Sequence, residues 1–235
     1  MIDKEILLRE KERYNLPLYI SKKELRMLKK DVPVQKIIGY QEFQNVILNL
    51  KYKTLIPRYE TEEVILAAYP FIKKESKVLD LGCGSGLIGL AIKKNKDANV
   101  TLSDISRFAI KQTKINAKLN NLNVNVIRSN WFNKITSKFD VIVCNPPYLK
   151  KQKKLIKSLK WEPKRALFAR DNGLFAYKKI LKSAFNYLNE KGIIIFEVDP
   201  YCSLWFKNKF PNVLILKDIN NKDRIALLAK NDLKN

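Results

Sequence analysis

The sequence predicts a doubly wound α/β domain in which a mostly parallel, seven-stranded sheet carries helices on both faces. From Lys77 onward, short apolar runs rich in β-branched residues alternate with stretches of helical periodicity. Strands this apolar are typical of a parallel sheet that is buried on both sides. The last two runs, NVLILKDI and DRIALLAK, are separated by only a few polar residues, and so short a link permits an antiparallel hairpin but no parallel crossover. The final strand is therefore expected to be antiparallel.

The predicted elements of this domain can be read in chain order. Strands are expected at KVLDL, NVTLSD, NVNVIRSN, FDVIVC, GIIIFEVD, NVLILKDI and DRIALLAK. Between them, helical periodicity is found at GLIGLAIKK, at about 106–120 and near 174–190. This alternation assigns residues 77–235 to one α/β domain.

The first 76 residues follow a different pattern. Residues 1–32 are expected to form a short helical extension with two small helices, the second opened by a capping box of Ser21 and Glu24. Residues 33–76 are expected to contain a β-hairpin within QEFQNVILNLKYKTLIP and a linking helix that starts at Thr61.

Composition restricts the classes of function. The chain contains no histidine, and its three cysteines stand about sixty positions apart, a spacing that matches no metal site. A metal centre and a histidine-based triad are therefore not expected. No apolar run approaches the roughly 18 residues of a membrane span, and the charged N-terminus is unlike a signal peptide. These features predict a cytoplasmic protein, taken as a monomer, with no membrane partner.

The net charge of +23 has two interpretations. A basic surface attracts the phosphates of nucleic acid, but 37 of the basic residues are lysines, which the codons of an AT-rich genome favour whatever the function. The charge is concentrated in the stretch from Lys150 to Arg170, which holds nine basic residues and one acidic residue, Glu162. This stretch predicts proximity to RNA or to a ribosome, or a general electrostatic collar around the neighbouring motif.

A glycine-rich loop, DLGCGSG (Asp80 to Gly86), follows the first strand of the domain and opens a helix. Glycines allow a sharp turn and let a ligand lie against bare main chain. Asp104 ends the next strand, about twenty residues on, where a carboxylate can bind both hydroxyls of a ribose. A dinucleotide site has its third glycine one residue later, and Asp80 adds negative charge beside the loop. The pattern favours S-adenosyl-L-methionine, and a tight turn without a ligand is the structural alternative.

A second motif, NPPY (145–148), lies at the end of the run FDVIVC, where open α/β sheets bind ligands. Its two prolines remove two backbone donors, so the main chain there offers carbonyls only. The side-chain carbonyl of Asn145 and the backbone carbonyl of Pro146 can accept both hydrogens of a planar NH₂ group, while the Tyr148 ring covers its face. Such a grip aims the nitrogen lone pair at a methyl carbon without a general base. A packed Pro-Pro loop is the structural alternative.

Together, DLGCGSG, Asp104 and NPPY resemble class I S-adenosylmethionine-dependent methyltransferases that act on planar NH₂ groups. Three more stretches resemble one branch, the bacterial HemK/PrmC glutamine methyltransferases of peptide chain release factors. They are TLIPRYETE (54–62), NWF (130–132) and WEPKRALFARDNGLFAYKKIL (161–181). The resemblance runs from about Pro33 to Lys230. It implies a Rossmann-like fold and methyl transfer to the side-chain amide nitrogen of the glutamine in the Gly-Gly-Gln motif of a release factor.

The resemblance also implies roles for single residues. The loop residues expected near the methionine part of the cofactor are Gly82, Cys83, Gly84, Ser85 and Gly86. Asp104 would hold the ribose and Trp131 would lie by the adenine. The corner that grips the target glutamine beside the cofactor would consist of Asn145, Pro146, Pro147 and Tyr148. Arg58 and Glu62 either support the site or form a salt-bridged junction between the hairpin and the next helix.

Two features depart from that family. Asn130 stands where the family usually has aspartate, which weakens the expected adenine contacts but keeps an acceptor oxygen. Only about 32 residues precede the matching region, where the family has a helical bundle that helps to hold the release factor. Two alternatives stay open. The basic stretch favours a methyltransferase acting on an exocyclic base amine of RNA or DNA, and the two departures favour a non-catalytic ribosome- or RNA-binding module with the same fold.

Overall fold

The N-terminal part of the chain consists of three short helices, a hairpin and a linking helix. The computed structural model describes residues 4–150 and 157–234. The first elements are α1 (Lys4–Arg13), α2 (Lys22–Lys29), α3 (Val34–Ile38), β1 (Tyr40–Phe43), β2 (Val46–Asn49) and α4 (Glu60–Ala68). The predicted capping box is confirmed, because Ser21 Oγ accepts from the Glu24 N–H and the Glu24 carboxylate accepts from the Ser21 N–H. Helix α3 was not predicted, since five residues are too few to show a periodicity.

The predicted hairpin is confirmed and its turn has a local cause. Gln44 and Asn45 have positive φ angles of 44° and 63°, as a two-residue turn between twisted strands requires. Val46 and Leu48 are buried while Ile47 between them is exposed, which is the alternation of a strand with one covered face. The hairpin therefore packs one face onto the main domain. Helix α4 begins one residue before the predicted start.

A seven-stranded sheet forms the centre of the molecule. Its strands are β3 (Lys77–Leu81), β4 (Asn99–Asp104), β5 (Asn125–Arg128), β6 (Phe139–Cys144), β7 (Leu188–Glu197), β8 (Leu214–Lys217) and β9 (Asp223–Ala229). Their spatial order is β5-β4-β3-β6-β7-β9-β8. Neighbouring strands from β5 to β7 pair in parallel, and β9 runs antiparallel to both β7 and β8. The predicted doubly wound sheet with an antiparallel final strand is confirmed.

Helices cover the sheet on both faces. They are α5 (Leu87–Asn95), α6 (Arg107–Leu119), α7 (Lys164–Leu167), α8 (Phe175–Tyr187) and α9 (Pro200–Lys209). Residues Val141 and Val143 of β6 face a core shared with α4, α5 and the hairpin, whereas Ile142 between them faces a second core with α8 and α9. Strands covered on both sides read as continuous apolar runs because each face has its own core. None of the described helices is long and apolar enough to cross a membrane.

The strand order decides where a ligand can bind. Strand β3 lies between β4 and β6. After β3 the chain builds β4 and β5 on one side of it and then crosses to build β6 and β7 on the other side. At such a switch point, loops at the carboxyl ends of the strands separate and leave a crevice. The glycine loop after β3, Asp104 at the end of β4 and the NPPY corner after β6 all border this crevice.

Candidate active site

A cavity of about 330 Å³ lies at the carboxyl ends of β3, β4 and β6. Most of the residues predicted from the sequence for the site line it: Gly82, Cys83, Gly84, Ser85, Asp104, Trp131, Asn145, Pro146 and Pro147. Two predicted residues, Gly86 and Tyr148, are not part of the lining. The structure thus brings together motifs that are separated by more than sixty positions in the chain.

The glycine loop turns with three left-handed residues, since φ is +84° at Gly82, +58° at Gly84 and +90° at Gly86. A Cβ added at Gly84 would meet nothing within 4 Å, so it would project into open space where a ligand can approach the main chain. A Cβ at Gly86 would instead press on Leu90 and Thr113. Gly86 is the N-cap of α5, which gives it a structural role in this loop.

Asp104 is held by the loop it faces. Its carboxylate accepts from the N–H of Gly84 at 3.0 Å and from the N–H of Ser106 at 2.7 Å. Burial raises the pKa of Asp104, while these two backbone donors and the charge of Arg165 act in the opposite direction. Each carboxylate oxygen keeps further acceptor capacity. Asp104 is therefore fixed in place and can still accept from two ligand hydroxyls.

Asp80 has one oxygen without a partner. Its Oδ2 accepts from the N–H of Gly89 at 2.8 Å, whereas Oδ1 is buried and unbonded within the described part of the chain. Burial raises the pKa of Asp80 to about 7. Thr54 Oγ1 and Ser103 Oγ are also buried without a hydrogen-bond partner in the described residues, and Thr54, Asp80 and Ser103 all line the cavity. Since buried polar atoms are normally satisfied, these oxygens indicate a polar ligand, and the carboxylate favours one with a cationic group.

Trp131 lies beside the glycine loop after β5. Its φ is +48°, and its backbone carbonyl accepts from Ser129 Oγ at 2.7 Å. A Cβ built on Gly82 would lie 3.7 Å from the Trp131 ring, which is an ordinary contact distance, so the indole lies against the loop. The neighbouring Asn130 also lines the cavity and is exposed. Two of the three residues of the NWF motif, Asn130 and Trp131, therefore border the cavity at the position predicted for adenine.

The NPPY corner is tied to a buried carboxylate. The Asn145 amide donates through Nδ2 to Thr61 Oγ1 at 3.3 Å, and the Thr61 hydroxyl donates to Glu197 Oε2 at 2.8 Å. The Tyr148 hydroxyl donates to Glu197 Oε1 at 3.0 Å. The sequence interpretation missed Glu197 and treated Thr61 only as a helix start. A carboxylate at the carboxyl end of the parallel strand GIIIFEVD was the signal that could have identified Glu197.

The block after NPPY forms a wall of the cavity through Pro163, Arg165 and Ala166. It is joined to the TLIPRYETE stretch, because Glu162 pairs with Arg58 at 2.5 Å and accepts from the N–H of Ile56 at 2.8 Å. The TLIPRYETE and WEPKRALFARDNGLFAYKKIL stretches therefore contact each other.

Glu62 and the basic stretch from Lys150 to Arg170 are the remaining residues singled out from the sequence. Glu62 accepts from Gln44 Nε2 at 3.1 Å, so its observed contact is the junction between hairpin and helix. Of the basic stretch, Lys150 Nζ lies 3.6 Å from the ring centre of Tyr201. Residues 151–156 lie outside the described part of the chain.

A central sheet of this order, carrying its ligand crevice at the switch point, is the architecture of a class I methyltransferase. Comparison with known proteins supports that class. The family model described as "Methyltransferase small domain" matches residues 63–210. A methyltransferase from Pyrococcus furiosus superposes with a TM-score of 0.61 at 20% identity, covering 89% of this chain and 98% of that one.

Closer relatives narrow the class. A release factor glutamine methyltransferase from Lactococcus lactis is 36% identical over 211 residues, which span 85% of this chain and 78% of the relative. One from Buchnera aphidicola is 37% identical over 240 residues, 98% of this chain and 86% of the relative. The chain belongs to the family of release factor glutamine methyltransferases, as the resemblance of its motifs implied.

Proposed function

We propose that this protein transfers a methyl group from S-adenosylmethionine to the side-chain amide nitrogen of the glutamine in the Gly-Gly-Gln motif of peptide chain release factors. The family supports the reaction and the class of substrate. The observation that carries the proposal is the orientation of Asn145 at the cavity. Its Nδ2 is engaged by Thr61, while its Oδ1 has no hydrogen-bond partner in the described residues.

The corner supplies acceptors where a planar amide needs them. Asn145 Oδ1 and the carbonyl of Pro146 can each accept one hydrogen of an NH₂ group. The main-chain nitrogens of Pro146 and Pro147 carry no hydrogen, so no donor competes for these oxygens. An amide nitrogen is a weak nucleophile because its lone pair is delocalised, and fixing both hydrogens directs that lone pair towards the reacting carbon. Orientation of this kind can lower a barrier by several kcal/mol.

The cavity residues fit S-adenosylmethionine. When bound, this cofactor supplies an electrophilic methyl group on a positively charged sulfur. Asp104 would hold the ribose hydroxyls and Trp131 would lie against the adenine. The unpartnered Oδ1 of Asp80 lies in the same cavity and suits the cationic methionine part. Gly84, whose Cβ position is open, would let that part approach the main chain.

Cofactor binding is tested by calorimetric titration of S-adenosylmethionine. Asp104→Ala should weaken binding through loss of the ribose contact. Gly84→Val should weaken it by filling the approach to the main chain. Unchanged affinity in both variants would show that the cofactor lies elsewhere.

Methyl transfer is tested with radiolabelled cofactor, offered purified release factor and total RNA in parallel. Label should enter the release factor, and a release factor with the Gly-Gly-Gln glutamine changed to alanine should take up none. Asn145→Ala should abolish transfer while sparing the fold. Label in RNA alone would reject the proposal in favour of a base-amine methyltransferase.

A further inference from the structure

Four polar side chains form a buried chain of hydrogen bonds behind the NPPY corner. Glu197 stands at the carboxyl end of β7 with 2% of its surface exposed. Its two carboxylate oxygens accept from Thr61 of α4 and from Tyr148 of the corner. Thr61 in turn accepts from the Asn145 amide. Of these, Thr61 and Asn145 border the cavity, while Glu197 does not line it.

We propose that Glu197 is a positioning residue whose carboxylate, acting through Thr61, fixes the Asn145 amide with Oδ1 presented to the substrate. The inference rests on the proposed function, because it assigns the Asn145 oxygen to the target amide. It adds two residues, Glu197 and Thr61, that belong to neither the glycine loop nor the NPPY motif.

The directions of these hydrogen bonds set the orientation of the Asn145 amide. Burial raises the pKa of Glu197, while the hydrogen bonds from Thr61 and Tyr148 favour its carboxylate form. Both carboxylate oxygens accept in the structure, so the single proton of the Thr61 hydroxyl points to Glu197. The Thr61 oxygen is then left with lone pairs only, and the Asn145 group facing it must be the NH₂ end. The amide nitrogen and oxygen of Asn145 lie on opposite sides of its Cβ–Cγ bond axis. With the nitrogen facing Thr61, the oxygen is turned towards the cavity that Asn145 lines. With the opposite amide orientation, Asn145 Oδ1 would face the Thr61 oxygen, and two acceptors would oppose each other.

The frame around Glu197 is rigid enough to transmit this orientation. The fully buried Tyr177 donates to the backbone carbonyl of Glu197 at 2.7 Å. The Tyr148 hydroxyl holds the second carboxylate oxygen. Thr61 has 5% of its surface exposed, so water has little access to compete for its hydroxyl. Such indirect partners commonly govern the geometry of the residues that touch a substrate.

The decisive variants are Glu197→Gln, Thr61→Val and Thr61→Ser. Glutamine keeps the size of Glu197 but can donate to Thr61 and so reverse the hydrogen-bond direction. Glu197→Gln and Thr61→Val should each lower kcat by about 10- to 100-fold, with the KM for release factor and the Kd for cofactor changed less than about twofold. Thr61→Ser keeps the hydroxyl and should restore most of kcat. The double variant Glu197→Gln with Thr61→Val should be no slower than the worse single variant, since both act on one hydrogen-bond chain.

The matched control is Glu190→Gln, the same chemical change on the same strand. Glu190 is exposed, pairs with Lys230 and lies near the opposite end of β7 from Glu197, so this variant should retain wild-type kcat. Full kcat in Glu197→Gln would overturn the proposal, as would equal damage from Thr61→Ser and Thr61→Val. Loss of cofactor affinity in step with kcat would assign Glu197 a merely structural role.

A second measurement is independent of turnover. The Asn145 side-chain NH₂ resonance, identified by its disappearance in Asn145→Ala, should shift and exchange its hydrogens faster in Glu197→Gln and Thr61→Val, but not in Glu190→Gln. An Asn145 resonance unaffected by all three variants would reject the positioning role. If the wild-type protein methylated no release factor, the proposed function would fail, and this resonance would still decide whether Glu197 orients Asn145.

Discussion

Gly173 lies against the backbone carbonyl of Tyr148 so closely that an added Cβ would overlap the carbonyl oxygen. Gly173 also has a φ of +98°, a conformation that other residues rarely adopt. Two further contacts join the same segments, since the N–H of Leu149 donates to Leu167 and the N–H of Ala169 donates to Leu149. The segment from Leu167 to Gly173 therefore packs against the end of the NPPY corner from behind.

Gly173→Ala should displace this corner and reduce methyl transfer more than it reduces stability. Gly39→Ala is the matched control, because Gly39 has a φ of +93° but nothing within 4 Å of its Cβ position. Both variants carry the cost of a left-handed alanine, about 1–2 kcal/mol, and only Gly173→Ala adds a collision. Urea unfolding and kcat/KM should separate the two effects. Equal kcat/KM in both variants would show that the corner tolerates the shift.

The Arg58–Glu162 pair should stabilise the wall of the cavity. The Glu162 side chain is 2% exposed and that of Arg58 37%. Arg58→Ala leaves a buried carboxylate without its cation, at a cost of about 3 kcal/mol. Glu162→Gln keeps an acceptor for the Ile56 N–H and should cost less. Because Pro57 and Pro163 adjoin the pair and line the cavity, cofactor affinity should fall as well.

The control for that prediction is Asp97→Asn. Asp97 pairs with Lys74 at 3.9 Å with both side chains exposed, and exposed pairs contribute at most about 1 kcal/mol. Urea unfolding should show little change for Asp97→Asn and a clear loss for Arg58→Ala. Equal stability in the two variants would contradict a supporting role for the buried pair.

Cofactor binding should strengthen as pH rises through 7. Burial raises the pKa of Asp80 to about 7, and the nearby Asp104 acts in the same direction. A cationic cofactor favours the ionised carboxylate, whose fraction grows from about a tenth at pH 6 to about nine tenths at pH 8. Affinity should therefore rise by up to about tenfold over this range. Calorimetric titration of Asp80→Asn should show weaker binding without this dependence, and a flat wild-type profile would contradict the prediction.

The same raised pKa affects the stability of the unliganded protein. The folded state binds the Asp80 proton more tightly than the unfolded chain does, so the contribution of Asp80 to stability falls as pH rises from its ordinary pKa of 3.8 to about 7. Above that range the contribution is constant. Asp80→Asn should remove this decline from the melting temperatures of the unliganded protein.

The lysines after NPPY should affect capture of the substrate more than its turnover. Electrostatic attraction acts mainly on association, so neutralising Lys150, Lys151, Lys153 and Lys154 should slow release factor capture and reduce its salt sensitivity, with kcat retained. If the stretch instead followed a phosphate backbone, RNA binding would fall steeply with salt. The quadruple variant would then flatten that slope by up to about 4. Salt titrations with both substrates distinguish these outcomes.

Local signals in the sequence determined the fold class, the glycine loop and the NPPY corner. Apolar runs predict buried parallel strands because each strand must fill a core on both faces. The glycine pattern predicts a sharp turn because only glycine adopts those φ angles without strain. Likewise, Ser21 and Glu24 predict a capping box because both hydrogen bonds close within three residues. Such features depend on neighbours in the chain, so the order of residues contains them.

Tertiary structure alone decided which distant side chains complete the site. Thr61 and Glu197 stand 136 positions apart, and they meet only because β7 lies beside β6 while α4 packs on the same sheet face as α5. Glu162 likewise meets Arg58 through the path of the chain after NPPY. No periodicity or spacing in the sequence predicts these contacts, because they depend on the spatial order of the strands in the sheet. The sequence therefore predicted the residues that we propose for the cofactor and the substrate, and the fold alone brought Glu197 next to Thr61 and Tyr148 behind them.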